Sequence, residues 1–261
     1  MYHFFHFPDR EDYDTPHRVG LSCEQVYFDS ADGTRLSGWF IPAQGVASPR
    51  EAKGTVIHLH GNAQNMTAHW NFAGFVPSRG YNLFTFDYRG YGESEGAPGP
   101  QGVFEDSVAA LDYLRSRTDI DAGKLFVFGQ SLGGMLAIAA AGASPQGVRA
   151  VLAEAPFHSY DAMVKDKMPQ TGLMLCDNYT ATAYVAKLAP IPLLLIHGTA
   201  DIVVPYTHSV RLLAEAGEPK RLVQIKGGDH VDAMLEEVHG RKYQDEMMAF
   251  FDAALEKNGS S

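Results

Sequence analysis

Cysteine is scarce in this sequence, and long apolar runs are missing from it. The two cysteines, Cys23 and Cys176, lie far apart in the chain, which argues against a disulfide framework. No run of 18 or more apolar residues is present and no signal peptide opens the chain, so nothing in the printed sequence indicates a membrane-spanning helix. We therefore expect a soluble, cytoplasmic protein.

Basic clusters and metal-binding spacings are also absent. The net charge is -10 at pH 7 and no basic run occurs, which disfavours nucleic acid and anionic membranes as partners, because both attract clustered Lys and Arg. The eleven histidines are scattered, without a His-x3-His or Cys-x2-Cys spacing. We expect no nucleic-acid partner and no metal; the sequence leaves the oligomeric state open.

Apolar runs of strand length alternate along the chain with stretches of helical spacing, as in a doubly wound α/β fold with a mostly parallel sheet. The 261 residues suit a single domain, 1–261, with a substantial core. The first two strands flank the Asp32-Gly33 turn and should form an antiparallel hairpin. The predicted strands are 25–28, 35–41, 55–59, 83–86, 125–128, 150–152, 193–196 and 222–225. The predicted helices are 66–78, 103–117, 135–143, 207–216 and 243–255.

The segment 157–190 interrupts this alternation. It is rich in methionine and tyrosine and shows no strand periodicity. We interpret it as a small cap over the functional site, with a plain surface excursion as the alternative. Phe157, His158 and Met163 in this segment are our candidate substrate-binding residues.

A tight strand-to-helix turn is predicted at Gly129-Gln130-Ser131-Leu132-Gly133, which has the Gly-x-Ser-x-Gly pattern of a nucleophile elbow. Side chains two residues before and after the serine would collide in such a turn, and glycine removes the collision. The serine hydroxyl then stands at a helix N-terminus, which favours negative charge. Ser131 is our candidate nucleophile.

The same pattern occurs a second time, at Gly92-Glu93-Ser94-Glu95-Gly96. Pro98 and Pro100 follow, so a helix cannot start directly after this copy. We interpret it as a glycine-rich loop after a strand.

A serine nucleophile needs a base that takes its proton and an acid that orients the base. Asp201 follows strand 193–196 and His230 follows strand 222–225, so both lie at carboxyl ends of strands, where loops converge. The chain order Ser131, Asp201, His230 is the order of the α/β-hydrolase triad. We predict that these three residues are catalytic.

Each of these residues has an ordinary alternative, since Asp201 could be a turn residue and His230 a surface histidine. Glu154, at the end of its own strand, is an alternative acid. Residues of the same types that we expect to pack in the core, to brace loops or to point elsewhere are His58, Asp87, Arg89, His197, Asp229 and Asp232.

The oxyanion of a tetrahedral intermediate needs two preorganised donors. The backbone N–H of Leu132, directly after the nucleophile, is one. The second should come from the loop after strand 55–59, where Gly61 lets the chain turn in; we choose the N–H of Asn62, with Ala63 as the alternative. His60 should shape this loop by hydrogen bonding.

Four motifs together resemble the Bem46-like branch of the α/β-hydrolases, and the similarity covers nearly the whole chain. They are His60-Gly61-Asn62-Ala63, Asp87-Tyr88-Arg89-Gly90-Tyr91-Gly92, Gly129-Gln130-Ser131-Leu132-Gly133-Gly134 and His197-Gly198-Thr199-Ala200-Asp201. Bacterial relatives in this branch carry labels such as serine peptidase, dienelactone hydrolase-like protein or esterase. The resemblance implies the eight-stranded α/β-hydrolase fold with helices on both faces and the triad on Ser131, Asp201 and His230.

The N-terminus, Tyr2-His3-Phe4-Phe5-His6-Phe7-Pro8, is unusually aromatic. It either packs on the domain or follows a removed membrane segment. In many relatives a hydrophobic segment precedes the equivalent of Phe4-Phe5, so a longer, membrane-anchored form is the alternative to a soluble protein.

From these residues we expect a serine hydrolase that forms an acyl-enzyme on Ser131 and needs no cofactor. The Met-rich, aromatic cap favours a short- to medium-chain carboxylic ester as the small-molecule substrate. Alternatives are a thioesterase or depalmitoylase, and a serine aminopeptidase with Asp161, Asp166 and Asp177 as candidate contacts for the amine. A non-catalytic binding protein with a hydrolase fold is the alternative from another class.

Overall fold

An eight-stranded sheet forms the centre of the chain in the computed structural model, which describes residues 5–171 and 174–256. The strand order across this sheet is β10-β9-β8-β7-β4-β6-β3-β2. A separate two-stranded sheet pairs β1 with β5. The strands are β1 (Phe7–Pro8), β2 (Glu24–Asp29), β3 (Arg35–Ile41), β4 (Thr55–Leu59), β5 (Ala63–Gln64), β6 (Asn82–Phe86), β7 (Leu125–Gln130), β8 (Val148–Glu154), β9 (Leu193–Gly198) and β10 (Lys220–Ile225).

Helices cover both faces of the large sheet. The α-helices are α1 (Met66–His69), α2 (Pro100–Ser116), α3 (Leu132–Ala143), α4 (Tyr160–Lys167), α5 (Ala181–Tyr184), α6 (Thr207–Glu215), α7 (Glu236–His239) and α8 (Lys242–Glu256). Among the described residues, none of these helices has the length and apolar character needed to cross a bilayer.

The central strand β7 shows how one sheet supplies two cores. Leu125 and Val127 point into a cluster with residues of α2 and α3, whereas Phe126 and Phe128 point into the opposite cluster with residues of α8. Because side chains alternate across a strand, a strand buried on both faces needs an uninterrupted apolar run. The prediction of a mostly parallel eight-stranded sheet between helices is confirmed.

The antiparallel edge of the sheet is the predicted hairpin. β2 pairs with β3 in the register Phe28 opposite Leu36, and β3 then pairs antiparallel with β6. Burial alternates along β2, so one face of this edge strand meets the core and the other meets solvent.

The single helix predicted at 66–78 is wrong. α1 ends at His69, and two 3-10 turns follow, at Trp70–Phe72 and at Val76–Arg79. Pro77 prevents an α-helix from running through the second half of this segment, because a proline in a helix interior removes a hydrogen bond and collides with the preceding turn. Gly74 lies between the two 3-10 turns, and its backbone approaches the Trp70 ring.

The other predicted elements are present, with boundaries shifted by a few residues. α2 begins at Pro100 rather than at 103, since proline is well suited to the first turn of a helix, where its missing N–H is not needed. α3 begins at Leu132, directly after the elbow serine, rather than at 135.

The segment 157–190 joins β8 to β9 and contains α4 and α5. Polar contacts fasten it to α6: the imidazole Nε2 of His158 lies 2.8 Å from Glu215 Oε1, and the Thr182 hydroxyl donates to Glu215 Oε2 at 3.0 Å. Nε2 of His208, on α6, lies 2.8 Å from Asp166 Oδ2 at the end of α4. We call residues 157–190 the cap segment.

Glycines permit β7 to turn directly into α3. A Cβ atom on Gly129 would lie 2.0 Å from the carbonyl oxygen of Gly133, and a Cβ on Gly133 would lie 1.9 Å from the carbonyl oxygen of Leu59. Both obstructing atoms belong to backbone, which cannot move aside by changing a rotamer. A Cβ on the neighbouring Gly134 would meet its nearest atom at 3.2 Å.

Gly133→Ala should therefore lower the free energy of unfolding by about 3 kcal/mol, because the added methyl forces β4 and α3 apart. Gly134→Ala is the matched control, since it adds the same methyl in the same helical turn; we expect a change of less than about 1 kcal/mol. Urea unfolding of both variants measures the difference, and equal destabilisation by the two would contradict this explanation.

Candidate active site

Ser131 occupies the sharp turn between β7 and α3. Its backbone dihedrals are φ 55° and ψ -115°, a region that residues other than glycine seldom adopt. The Ser131 N–H donates to the carbonyl of Glu154 at 2.9 Å, which ties the turn to the end of β8. The side chain faces a cavity, and 8% of the residue is exposed.

Asp201 lies in the loop after β9 and is held by four donors. One carboxylate oxygen, Oδ1, accepts the N–H groups of Val203 and Val204, both at 2.8 Å. The other, Oδ2, lies 2.7 Å from Nδ1 of His230 and 3.2 Å from Nε2 of His197.

The contact with Asp201 fixes the tautomer of His230. A carboxylate oxygen can only accept, so Nδ1 carries the proton, and in the neutral ring Nε2 is then the basic nitrogen. Within residues 5–171 and 174–256, neither Nε2 of His230 nor Oγ of Ser131 makes a hydrogen bond to another protein group. Both atoms are therefore available to a substrate.

His197 contacts the candidate acid Asp201, and the sequence interpretation missed this contact. We predicted a packed histidine, and it is fully buried, but its Nε2–H is shared between Asp201 Oδ2 and the Val204 carbonyl, at 3.2 and 2.9 Å. Its other nitrogen, Nδ1, accepts from the Ser209 hydroxyl at 2.7 Å. The available signal was its place four residues before Asp201, at the end of β9.

The charge of Asp201 is secured by these contacts. Burial alone would raise the pKa of its carboxyl, but the hydrogen bonds from His197 and His230 outweigh burial and hold that pKa well below its ordinary range. Asp201 is therefore an anion at neutral pH.

The predicted oxyanion donors belong to the loop after β4, which carries Asn62, and to Leu132, the first residue of α3. Nδ1–H of His60 donates to the Gly61 carbonyl at 2.8 Å, which fixes the peptide plane that also carries the N–H of Asn62. The Asn62 carbonyl in turn accepts from the Tyr91 hydroxyl and from the Phe7 N–H, both at 2.8 Å. Among the described residues, the N–H groups of Asn62 and Leu132 have no protein acceptor.

A cavity of about 270 Å³ opens at Ser131. Its size suits a small ligand, and aromatic and aliphatic side chains form most of its wall. The lining residues are Phe5, Phe7, Asn62, Ser131, Phe157, Met163, Lys167, Met168, Val203 and Val204. A larger surface depression, of about 550 Å³, is lined by residues such as Trp70 and Gln244, and none of the predicted site residues lines it.

Two of the three predicted substrate-binding residues, Phe157 and Met163, line this cavity. His158 does not, and the expectation for it needs correction. Its side chain is turned toward α6 by Glu215, and its backbone N–H donates to His208 Nδ1 at 3.0 Å. His158 therefore fastens the cap segment instead of facing Ser131.

The competing residues have other partners. In the second Gly-x-Ser-x-Gly copy, the Ser94 hydroxyl is fully buried, donates to the Asp87 carbonyl at 2.7 Å and accepts the Ser37 N–H at 2.9 Å. The copy lies in a loop after a strand, as predicted, and Ser94 braces that loop. Arg89 likewise binds Asp106 and Asp32 on neighbouring elements.

The alternative acid, Glu154, does not contact His230. Its Oε2 accepts from the Gln130 side chain and its Oε1 from the Ala233 N–H, both at 2.7 Å. The carboxyl thus links the residue before the nucleophile to the loop that carries His230. Complete burial raises the pKa of Glu154 to about 7.

Comparison with known proteins identifies the family of this chain. Residues 66–258 match the prolyl oligopeptidase family. The chain belongs to this family. Its fold is that of the α/β-hydrolases, and the resemblance to the Bem46-like branch is confirmed.

The relatives of this family member are distributed across bacteria and eukaryotes. The chain is 42% identical over 253 residues to the uncharacterized protein YfhR of Escherichia coli K12, covering 97% of this chain and 87% of YfhR. It is 29% identical over 217 residues to the protein bem46 of Schizosaccharomyces pombe, and the match covers 81% of this chain and 72% of bem46. Among solved structures, the Pyrococcus furiosus esterase Pf2001 superposes with a TM-score of 0.78 at 20% identity, over 95% of this chain and 99% of Pf2001. This similarity is one of fold.

Replacing Glu154 by Gln should change how stability depends on pH. Because the folded-state pKa of about 7 exceeds the ordinary 4.5, the wild-type carboxyl contributes stability that is fully present below about pH 4.5 and is lost as the pH rises through 7. Glu154→Gln cannot ionise, so the wild type alone loses this contribution. The free energy of unfolding of the variant, relative to that of the wild type, should therefore increase by up to about 3 kcal/mol between about pH 4.5 and pH 7.

Denaturant unfolding of both proteins at about pH 5 and about pH 8 measures this difference. Glu237→Gln, which removes an exposed carboxylate after the same loop, is the control. If the free energies of unfolding of Glu154→Gln and wild type differ by the same amount at both pH values, the raised pKa of Glu154 would be contradicted.

Proposed function

We propose that this chain is a serine hydrolase that cleaves carboxylic esters with short- to medium-chain acyl groups. The observation that supports this most directly is the 2.7 Å contact between His230 Nδ1 and Asp201 Oδ2, together with a strained serine that opens onto an apolar cavity. A carboxylate, an imidazole and a serine so arranged are the parts that acyl transfer requires.

Acylation begins with attack of Ser131 Oγ on the ester carbonyl carbon. His230 Nε2 takes the hydroxyl proton, and the imidazolium that forms is stabilised by Asp201. The carbonyl oxygen becomes an oxyanion, which the N–H groups of Asn62 and Leu132 bind. The C–O bond to the alcohol then breaks, and His230 gives its proton to the leaving alkoxide.

Deacylation repeats these steps with water. His230 removes a proton from a water molecule that attacks the Ser131 ester, and the carboxylic acid leaves as the serine recovers its proton. The reaction as written draws only on protein groups and water. His197 acts through Asp201, since it holds the carboxylate against the imidazole.

The cavity wall supports an apolar acyl group of limited length. Phe157, Met163 and Met168 from the cap segment face Ser131 across a volume of about 270 Å³. Methionine side chains adapt their shape to an alkyl chain, which suits a range of short and medium acyl groups better than one rigid ligand. Thioesters follow the same mechanism, so a thioesterase is the nearest alternative.

A peptidase is the second candidate, and the family match favours it. An aminopeptidase would need acidic groups that face the free amine of the substrate. The candidates Asp161, Asp166 and Asp177 are engaged elsewhere: Asp161 pairs with Lys165, Asp166 with His208, and Asp177 accepts the Asp161 N–H. None of them lines the cavity, and we therefore rank the ester first.

Ser131→Ala should abolish turnover of a p-nitrophenyl ester series from acetate to palmitate, because it removes the nucleophile. Asp201→Asn should lower kcat by about 10³-fold to 10⁴-fold, since an amide favours the wrong tautomer of His230. The matched control is Asp229→Asn, whose Oδ1 still accepts the His230 N–H and which does not contact the imidazole; it should stay within a few-fold of wild type.

A fluorophosphonate probe separates an enzyme from a binding protein with the same fold. Labelling that requires Ser131 supports the proposed chemistry, even if the natural substrate is a peptide or a thioester. Absence of labelling together with absence of ester turnover would favour the non-catalytic alternative. Full activity of Asp201→Asn with loss of activity in Glu154→Gln would show that the acid is misassigned.

A further inference from the structure

The described N-terminal residues 5–9, which we call the strap, run beside the oxyanion loop. β1 in the strap pairs in parallel with β5, with Phe7 opposite Ala63 and Pro8 opposite Gln64. The Phe7 N–H donates to the Asn62 carbonyl at 2.8 Å, and the Asp9 N–H donates to the Gln64 carbonyl at 3.3 Å. The backbone of the strap is thus bonded directly to the residue that carries a predicted oxyanion donor.

Asp9 anchors the end of the strap to the body of the domain. Its Oδ1 accepts from the side chain of Asn65 at 2.7 Å, and its carbonyl accepts the Gly92 N–H at 2.9 Å. The Tyr13 hydroxyl donates to its Oδ2 at 2.6 Å. These three contacts reach different segments, so the strap is held at a fixed place rather than lying loosely on the surface.

Two aromatic side chains of the strap line the cavity at Ser131. The Phe5 ring packs edge-on against Tyr160, with centroids 4.9 Å apart, and lies 6.4 Å from the ring of Phe157 in the cap segment. Phe7 lines the same cavity, yet 53% of it is exposed, unlike most phenylalanines of this chain. An alkyl chain in the cavity would cover this ring and remove apolar surface from water.

The strap also bears on the geometry of the oxyanion loop. The Asn62 carbonyl has two donors, the Phe7 N–H and the Tyr91 hydroxyl, and they fix the peptide that follows Asn62. The preceding peptide is fixed by His60. With both flanking peptides held, the Asn62 N–H is aimed before substrate arrives, which is what stabilisation of an oxyanion demands.

We propose that the strap determines acyl-chain specificity, with Phe5 and Phe7 forming the wall that contacts the alkyl chain, and that its Phe7–Asn62 hydrogen bond positions the oxyanion donor. This inference rests on the proposed function, since it assigns parts of the same site. The strap would act in two separable ways, through the side chains of Phe5 and Phe7 and through the backbone N–H of Phe7.

The side-chain claim is tested with Phe5→Ala and Phe7→Ala in the full chain. For p-nitrophenyl esters from acetate to octanoate, kcat/KM of each variant should fall more as the acyl chain lengthens, reaching a loss of about tenfold at octanoate. The loss should appear mainly in KM, because the ring contacts the substrate chain and not the reacting atoms. Tyr27→Ala removes an exposed aromatic ring from an edge strand far along the sheet and is the control.

The backbone claim is tested by comparing Phe7→Pro with Phe7→Ala. Both lack the ring, but only the proline lacks the N–H that holds Asn62. Phe7→Pro should show a further fall in kcat of about tenfold that is the same for every chain length, since the oxyanion forms with each ester. Tyr91→Phe removes the other donor to the same carbonyl and should also lower kcat uniformly while leaving KM nearly unchanged.

A parallel series with ethyl and octyl fluorophosphonates keeps the two proposals distinguishable. If the wild type is labelled at Ser131 but hydrolyses no ester, the proposed ester hydrolysis is wrong. The role of the strap is then tested by labelling alone: Phe5→Ala and Phe7→Ala should slow labelling by the octyl probe more than labelling by the ethyl probe. Losses that are equal at all chain lengths, or no greater than that of Tyr27→Ala, would overturn the specificity claim. Equal kcat in Phe7→Pro and Phe7→Ala would overturn the positioning claim. A wild type that is neither labelled nor active would overturn both proposals together.

Discussion

The strained backbone of Ser131 is the constraint on which the rest of the site depends. A φ of 55° at a residue with a side chain persists only if the surroundings enforce it, and here Ser131 is the single residue that joins β7 to α3. The close approach of Gly133 to the Leu59 carbonyl packs the start of α3 against the end of β4. The same contact brings the loop after β4, which carries the proposed oxyanion donor Asn62, next to Leu132, the residue after the proposed nucleophile.

Buried carboxylates connect this turn to the loops that carry the other groups. Asp201 orients His230, and His197 prevents the carboxylate from turning away. Glu154 joins the Gln130 side chain, directly before the nucleophile, to Ala233, three residues after His230. A buried carboxyl that bridges two loops resists their relative movement, because breaking either contact leaves a buried polar group unsatisfied. The geometry of the site is therefore a property of the core as much as of the loops.

The fold was predictable because its signals are local. The apolar run of β7 has to be buried on both faces, and the Asp32-Gly33 turn defines the β2–β3 hairpin from four residues. The helix at 66–78 failed for the opposite reason: its apolar spacing is helical, but Pro77 and Gly74 override the spacing. Boundaries shifted where a neighbour in space decides them, as for α3, which starts directly after the strained serine.

The site was predictable only where position along the chain implies position in space. Asp201 and His230 follow adjacent parallel strands, so their meeting could be expected from the order of the strands. The directions of side chains could not. His158 turns to Glu215, 57 residues away in the chain, and His197 turns to Asp201 although its strand is buried. Packing of the N-terminus on the domain was one of two stated alternatives, but the place of the strap was not predicted, since the pairing of Phe7 with Ala63 joins segments with no shared sequence signal.

The proposed nucleophile is tested most directly by identifying the residue that becomes acylated. The wild-type protein is mixed with p-nitrophenyl butyrate, quenched in acid within the first turnover, digested with trypsin and analysed by mass spectrometry. We expect a butyryl adduct on the peptide that contains Ser131, and its loss in Ser131→Ala. Turnover with an adduct on the peptide that contains Ser94, or with no covalent adduct on any serine, would contradict this expectation.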